Sequence, residues 1–232
     1  MGARTLHPSS PVGRVAAAAL AACAMAYVIA HAPPALAQSG ATMITLDKTS
    51  VGSLPAEFDS WQTGQGGPAK WMVVADQSAD GGLAIEQNST DRTDYRFPLA
   101  IYKPVSARNV EVVLRFKPVA GEVDRAGGIA VRLTDPDNYY VVRANALEDN
   151  VRFYRVVKGS REQLAGVNTK VTANEWHALG LRAEGDKFTV SYDGKTLYST
   201  SDATFANAGK IALWTKADSV TRFDRIKITP LP

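Results

Sequence analysis

Hydrophobic and polar residues alternate along the chain with a period of two, most clearly over residues 127–158. Such alternation is typical of strands that bury one face. The segment reads as three consecutive strands joined by tight turns. In its middle strand the two faces are distinct. The predicted core face holds Tyr140, Val142, Ala144 and Ala146, and the opposite face holds Tyr139, Val141, Arg143 and Asn145.

The same pattern predicts strands on both sides of this segment. They cover residues 71–74, 83–87, 96–102, 110–117, 176–183, 187–192, 196–198, 210–215 and 222–228. Asp193-Gly194 predicts a two-residue hairpin turn, because type I′ turns need positive φ at both central residues. Residues 159–172 are expected to hold a short helical turn at most. Short strands separated by turn residues predict an all-β, antiparallel β-sandwich of the jelly-roll type.

The first 37 residues differ in character from the rest. They carry Arg4, Arg14 and no acidic residue, then an apolar run over 15–30 and the triplet Ala35-Leu36-Ala37. This order predicts a secretory signal peptide cleaved after Ala37. The apolar run is shorter than the ~20 residues of a membrane-spanning helix. We therefore expect a periplasmic or secreted protein with a partly ordered extension at 38–53 and a single sandwich domain at 54–232.

A second interpretation of the leader is a lipoprotein signal. The sequence Leu20-Ala21-Ala22-Cys23 resembles a lipobox, which would place a lipid on Cys23. The apolar run continues beyond Cys23, where a mature lipoprotein normally becomes polar. Cleavage after Ala37 is therefore the main prediction, and lipid attachment at Cys23 is the minor alternative.

Charge and cysteine content narrow the function further. The chain has 26 basic and 23 acidic residues, and removing the leader lowers the net charge from +3 to +1. This balance argues against a nucleic-acid partner, which usually requires a strong basic excess. Cys23 is the only cysteine, so a mature protein without the leader forms no internal disulfide and depends on its hydrophobic core.

Several aromatic and glycine positions in the second half of the chain form a recognisable series. They are Trp176, Leu179, Leu181, Gly185, Phe188, Val190, Tyr192-Asp193-Gly194, residues 209–214 and Phe223-Asp224-Arg225-Ile226. Together with residues 137–156, they resemble the concanavalin A-like, or laminin G-like, jelly rolls. The chain is also similar to bacterial exported keto-disaccharide hydrolase-like and family 16 glycosidase-like domains. The resemblance implies two curved antiparallel sheets, the concave one often being a carbohydrate surface.

The catalytic pattern of family 16 glycosidases is incomplete in this chain. Those enzymes carry E-x-D-x-E or a close variant on one strand, which places the carboxylates on one face. Residues 57–59 and 122–124 begin the pattern, but neither is followed by the second glutamate. His177 is the only histidine after the leader, and no cysteine accompanies it. The sequence therefore favours a protein without catalytic residues.

One predicted loop contains three side chains with oxygen atoms that could bind a metal ion. Asp135, Asp137 and Asn138 lie together and suggest a weak calcium alternative, since calcium binds carboxylate and amide oxygens. The same residue types are selected by tight turns, where their side chains bond the backbone. A calcium site normally needs six or more ligands, so we expect turn chemistry here and no cofactor.

Arginines recur on the predicted polar faces. Arg115, Arg132 and Arg143 lie on three different predicted strands, and a ladder across one sheet results if those strands are neighbours. Guanidinium groups bind carboxylates and hydroxyl-rich ligands; the alternative is a solvated face with Arg–Glu cross-strand pairs. An outward-facing tryptophan could stack on a sugar, and the alternative is that it packs beneath a loop, since large aromatic side chains are usually mostly buried. The predicted ligand-binding residues are Arg115, Arg132, Tyr139, Arg143, Asn145, Arg152 and Trp214.

These patterns lead to one main functional interpretation and two alternatives. The main one is an exported, non-catalytic, lectin-like protein that binds a saccharide or glycan surface. The first alternative is a glycoside hydrolase-like enzyme acting on a keto-sugar or disaccharide. The second is a structural or protein-interaction domain of the cell envelope. The sequence does not specify the sugar or the oligomeric state.

Overall fold

Antiparallel strands occupy most of residues 40–232, the part of the chain that the computed structural model describes. The predicted signal peptide and the alternative lipid site at Cys23 lie outside these residues. In chain order the strands are β1 Thr42–Met43, β2 Phe58–Gly64, β3 Trp71–Ala75, β4 Leu83–Gln87, β5 Arg96–Ala107, β6 Val110–Ala120, β7 Ala126–Asp135, β8 Asn138–Asn145, β9 Asn150–Val157, β10 Ser160–Asn168, β11 His177–Glu184, β12 Lys187–Tyr192, β13 Lys195–Ser201, β14 Gly209–Trp214 and β15 Val220–Pro230. A 3-10 turn, Asp80–Gly82, precedes β4.

The strands form two antiparallel sheets. One has seven strands in the order β10-β9-β8-β7-β14-β5-β2. The other has eight, in the order β13-β12-β11-β6-β15-β4-β3, with β1 paired to β15. The inner faces of the two sheets share one hydrophobic core. The predicted all-β sandwich is therefore confirmed.

The two faces of β8 differ in burial, and one of them lies in that core. Tyr140, Val142 and Ala144 pack between the sheets, as the sequence predicts. Tyr140 lies 4.5 Å from Phe188 of the opposite sheet, measured between ring centroids. Burying a side chain of this size stabilises the fold by roughly 1.5–3 kcal/mol. The alternate residues of β8 therefore face away from the core.

Two-residue turns close the hairpins. Asp193 and Gly194 have φ values of 46° and 76° between β12 and β13, as the Asp-Gly pair predicts. Lys158 and Gly159 repeat this geometry, with φ values of 49° and 76°. This second turn reverses the chain after β9 and starts β10.

The sequence predicts no strand in residues 159–172, but the structure has one there. Residues Ser160–Asn168 form β10, which pairs with β9. The strand lies at the edge of its sheet, and its residues are half-buried or exposed. Polar residues therefore occupy both of its faces, which removes the alternation that identifies a strand.

Strand β7 departs from its predicted alternation at Arg132. Its pairing with β8 jumps from Val131 to Asp135, and Arg132 has a φ of 52°. This β-bulge reverses the faces of the residues that follow. Leu133 consequently packs on the opposite side of the sheet from Val131. Arg132 lies against Phe188 of the other sheet, 5.1 Å from its ring centroid, so its predicted outward orientation is wrong.

The seven-stranded sheet is strongly curved. β10 and β5 are five strand positions apart, which corresponds to roughly 24 Å in a flat sheet. The guanidinium of Arg161 on β10 nevertheless lies 5.0 Å from the ring of Phe97 on β5. Tyr95, which precedes β5, also donates a hydrogen bond to the carbonyl of Gly159 at 2.5 Å. The face of this sheet that points away from the core is therefore concave.

Candidate functional site

The concave face carries a cluster of arginine, carboxylate and amide groups around one tyrosine. We call this cluster the site face. It comprises Arg143 of β8, Glu148 of the β8–β9 turn, Asn150, Arg152 and Tyr154 of β9, and Arg161 of β10. Successive antiparallel strands bring these residues together because alternate residues of each strand share a face.

Arg143 lies at the centre of the site face. Its side chain is only 4% exposed, and its Nη1 donates to the amide oxygen of Asn150. Its Nη2 donates to Glu148 Oε2 at 2.7 Å and to the hydroxyl of Tyr154 at 3.2 Å. Its Nε is buried and has no hydrogen-bond partner among residues 40–232. The protein therefore leaves one guanidinium donor of this buried arginine unpaired within the described residues.

Glu148 supplies the exposed carboxylate of the site face. Its side chain is 48% exposed, and its Oε2 also accepts a hydrogen bond from Asn150 Nδ2 at 3.0 Å. Burial alone would raise the pKa of Glu148, but the hydrogen bonds from Asn150 and Arg143 lower it below its ordinary value. The carboxylate is thus ionised at neutral pH and can accept ligand hydroxyl groups.

Arg161 lies across aromatic rings. Its guanidinium carbon is 4.3 Å from the ring centroid of Tyr154, 5.0 Å from that of Phe97 and 6.0 Å from that of Trp214. Its backbone N–H donates to the hydroxyl of Tyr95 at 3.1 Å. Its Nη1 is buried, and no group in the described part of the chain accepts a hydrogen bond from it. Arg161 is thus a second arginine with an unpaired donor.

Trp214 and Tyr139 form the floor beneath Arg161. Trp214 faces away from the core residues of β14, as predicted, but it is fully buried and stacks on Phe97 with 5.4 Å between ring centroids. Its indole N–H donates to Tyr139 Oη at 3.3 Å, and that hydroxyl lies 2.9 Å from Thr63 Oγ1. Burial raises the pKa of Tyr139 to about 12. Neither ring is open to a sugar, so Trp214 is packed in the interior, and the alternative of a tryptophan platform for a sugar is wrong.

Asn145 supports the site face from below. It is 1% exposed, and its Nδ2 donates to Asp124 Oδ1 at 2.9 Å. The Oδ2 of Asp124 lies 3.1 Å from Lys216 Nζ. Burial raises the pKa of Asp124 above its ordinary value, although Lys216 and Arg143 oppose that shift. Asn145 therefore positions a buried carboxylate and is closed to a ligand in this structure.

Arg152 lies on the same face as Arg143. The two residues are directly opposite each other in the β8–β9 pair. Arg152 Nη2 donates to Asn168 Oδ1 at 2.6 Å. Gly166 of β10 gives it room, since a Cβ there would lie 2.3 Å from Arg152 Cδ. Arg152 is half-buried, so its remaining donors border the concave surface.

Arg115 belongs to the other sheet. It lies on the outer face of β6, and its Nε donates to Asp224 Oδ1 at 2.9 Å. Its guanidinium is 5.0 Å from the ring centroid of Trp176. The expected ladder of Arg115, Arg132 and Arg143 is therefore wrong, because the chain places them on different sheets or faces.

Arg132 satisfies backbone carbonyl groups at one end of the sandwich. Its Nε donates to the carbonyl of Arg108 at 2.9 Å and its Nη1 to that of Phe205 at 2.8 Å. Its Nη2 donates to the carbonyl of Gly185. The side chain is fully buried and is closed to a saccharide ligand.

The Asp135 loop forms hydrogen bonds typical of a turn. Asp135 Oδ1 accepts from the backbone of Asp137 at 2.8 Å and from Asn138 Nδ2 at 2.9 Å. Asn138 Oδ1 accepts from the backbone of Lys158 at 3.0 Å. Across residues 40–232, no cluster of three or more histidine, cysteine, aspartate or glutamate side chains is placed to hold a metal ion.

In residues 40–232, no helix is both long and apolar enough to span a membrane.

Sequence reasoning missed four members of the site face: Glu148, Asn150, Tyr154 and Arg161. The position of Arg161 on the concave face could not be predicted, because β10 lacks the alternation that identifies a strand. The turn residues Lys158-Gly159 are a signal from which a following strand could have been predicted. Tyr154 follows Arg152 by two residues in β9 and therefore lies on the same face of the sheet. Glu148 and Asn150 lie at a turn, where strand periodicity carries no information.

Comparison with known sequences gives one short similarity. No protein-family model matches the chain. Over 84 residues, 35% of this chain, the sequence is 27% identical to the levanase of Bacillus subtilis strain 168. The matched stretch spans 12% of the length of that levanase.

Comparison with solved structures concerns the fold. The carbohydrate-binding module CBM66 from Bacillus subtilis matches with a TM-score of 0.55 and 22% identity, covering 68% of this chain and 94% of that chain. Domain 4 of a GH43 extracellular arabinanase from Geobacillus stearothermophilus, solved in complex with arabinotriose, matches with a TM-score of 0.52 and 17% identity. That alignment covers 82% of this chain and 93% of that chain. These likenesses confirm the concanavalin A-like sandwich fold.

Proposed function

We propose that this chain is a non-catalytic carbohydrate-binding domain that holds a saccharide against the site face. The observation that carries the proposal is that the exposed carboxylate of Glu148 and the half-buried side chains of Arg152 and Arg161 share one concave face. Guanidinium groups donate hydrogen bonds and carboxylates accept them, and saccharide hydroxyl groups can take part in both. The exposed carboxylate of Glu148 can accept the hydroxyl groups of the same ligand.

The fold supports a saccharide as the ligand class. CBM66 is a carbohydrate-binding module, and the arabinanase domain was solved in complex with arabinotriose. Both are distant in sequence, so their ligands are a guide to the class of compound. We extend the proposal to export from the cell, on the strength of the predicted signal peptide at residues 1–37.

The contacts of the nearby carboxylates favour binding over hydrolysis. A glycosidase needs an accessible carboxyl group with a raised pKa and a second carboxylate across the scissile bond. Asp124 has the raised pKa but is 1% exposed, and Asn145 and Lys216 contact its two oxygens. Glu148 is exposed but has a lowered pKa. This combination places the acid-like group out of reach of a substrate.

Calorimetric titration with a panel of neutral and acidic oligosaccharides tests the proposal. We expect at least one saccharide to bind, and Glu148→Gln to weaken it about ten- to a hundredfold, since a hydrogen bond to a charged group contributes about 1.5–3 kcal/mol. The melting temperature should fall to some extent, because Glu148 is the carboxylate partner of the buried Arg143, so the folded state of the variant is verified by circular dichroism before titration.

Glu184→Gln is the matched control. Glu184 is 56% exposed and pairs with Arg182 at 2.9 Å on the eight-stranded sheet, so its removal should leave binding unchanged. Absence of binding across the panel, or equal binding by wild type and Glu148→Gln, would contradict the proposal. Release of smaller sugars during incubation would instead indicate the hydrolase alternative.

A further inference from the structure

We propose that the saccharide bound at the site face carries a carboxylate, as a uronic acid does, and that Arg152 and Arg161 receive it. This inference rests on the proposed function and specifies its substrate class. It follows from an excess of guanidinium groups over carboxylates at one place in the sheet.

The first observation is the position of like charges. Arg143 and Arg152 are directly opposite each other across β8 and β9. Like charges in that arrangement destabilise a sheet. Arg143 is offset by Glu148, which it contacts at 2.7 Å. Within residues 40–232, the side chain of Arg152 forms a hydrogen bond only with the neutral amide of Asn168. No carboxylate therefore neutralises the positive charge of Arg152 there.

The second observation is the surroundings of Arg161. Neither Arg152 nor Arg161 forms a salt bridge with any carboxylate in residues 40–232. Arg161 lies over the rings of Tyr154, Phe97 and Trp214, and its side chain is half-buried. Charges attract more strongly in such a low-dielectric setting than in water. An anion placed there would therefore be held tightly.

The outer face of the eight-stranded sheet provides the contrast. There, Arg115 bonds Asp224, and Arg222 bonds both Asp76 and Glu86. These two arginine charges are therefore neutralised within the protein. On the concave face, Arg152 and Arg161 have no such carboxylate partner among residues 40–232, so the carboxylate of a ligand can pair with them.

The geometry also fits the chemistry of a carboxylate. Guanidinium groups present forked N–H donors that match the two oxygens of a carboxylate. Arg152 is held over Gly166, and Arg161 is held over Tyr154. Both side chains are therefore positioned before the ligand arrives, which reduces the entropy lost on binding.

The test compares oligogalacturonate with the neutral oligosaccharide made by reducing its carboxyl groups. Titration calorimetry of the full chain should show tighter binding of the acidic form, with affinity falling as salt rises. Arg161→Gln and Arg152→Gln should each weaken the acidic ligand about ten- to a hundredfold. Their effect on the neutral ligand should be several-fold smaller. Arg182→Gln, an exposed arginine of β11, is the matched control and should bind both ligands like wild type.

Each outcome decides a different claim. Equal affinity for the acidic and neutral forms, or equal losses of both in Arg161→Gln, would overturn the carboxylate inference and leave the saccharide function standing. Absence of binding to either form and to every other saccharide tested would overturn both. If Arg161→Gln is unstable, Arg161→Lys replaces it. That variant keeps the charge without the fork and should bind the acidic ligand with intermediate affinity.

Discussion

Arg132 and Arg161 show how burial and partners decide what an arginine does. All three nitrogens of the Arg132 guanidinium donate to backbone carbonyl groups, and the residue is fully buried. Arg161 is half-buried, lies over the rings of Tyr154 and Phe97, and forms no salt bridge within residues 40–232. The guanidinium of Arg132 is therefore fully bonded within the protein, whereas that of Arg161 remains available to a ligand.

Replacing Arg132 should lower stability without changing binding. Arg132→Met keeps most of the apolar stem but leaves the carbonyls of Arg108, Phe205 and Gly185 without this donor. Each unsatisfied buried group costs about 1–3 kcal/mol, so we expect a loss of roughly 2–5 kcal/mol after relaxation. Urea unfolding monitored by fluorescence measures the loss. An unchanged unfolding midpoint would show that the three contacts do not stabilise the native state.

Strands β8, β9 and β10 form the meander that builds the site face, and β7 supports it. Gly128 of β7 lies opposite Arg143 in β8 and Trp214 in β14. A Cβ at Gly128 would lie 2.5 Å from the carbonyl oxygen of Val142. A side chain at this position is therefore excluded by backbone atoms that cannot move freely.

Gly128→Ala should destabilise the protein and disturb the site face. Overpacking of this kind typically costs about 1–3 kcal/mol, and the displaced Arg143 should weaken saccharide binding. Thermal unfolding and calorimetry measure the two effects. Gly40→Ala is the control, since no atom lies within 4 Å of a Cβ there. Equal melting temperatures for Gly128→Ala and wild type would contradict the packing argument.

The elements that alternate regularly could be predicted from the sequence, and the irregular ones could not. The face of β8 that holds Arg143, Tyr139 and Asn145 follows from period two alone. The β-bulge at Arg132 reversed the alternation in β7, because the extra residue of a bulge moves the residues after it to the opposite face of the sheet. The edge position of β10 hid Arg161. The sequence also gives no measure of burial, which is why it left two arrangements for Trp214, open to a ligand or packed in the interior.

At the scale of the whole molecule, curvature creates the site. The seven-stranded sheet curls until Arg161 at one edge reaches Phe97 near the other. The eight-stranded sheet keeps a charged outer face whose ion pairs are closed within the protein. Asp76 is central to that face, where it accepts from Lys117 Nζ and from Arg222 Nη1.

Asp76 should make stability depend on acidic pH. Burial alone would raise the pKa of Asp76, but hydrogen bonds from Lys117, Ser78 and Arg222 lower it well below its ordinary value. A depressed folded-state pKa contributes stability above the unfolded pKa of about 3.9 that is lost as pH falls. At pH 7, Asp76→Asn should cost roughly 1.5–3 kcal/mol.

The difference between wild type and Asp76→Asn should shrink as pH falls below about 4. Denaturant unfolding between neutral pH and pH 2 measures this difference. The buried Asp224, which pairs with Arg115 on the same sheet, is left intact in both proteins. A difference that stays constant over the whole range would show that Asp76 does not account for the pH dependence.

The central claim is that a saccharide binds the concave face of the seven-stranded sheet. Amide NMR titration with the tightest ligand of the oligosaccharide panel tests it most directly, because it locates the contact without a mutation. We predict that the largest shifts belong to Arg143, Glu148, Tyr154 and Arg161, with little change at Arg115 and Trp176 on the outer face of the other sheet. Shifts centred on Arg115 and Trp176, or no shifts with any saccharide, would contradict it.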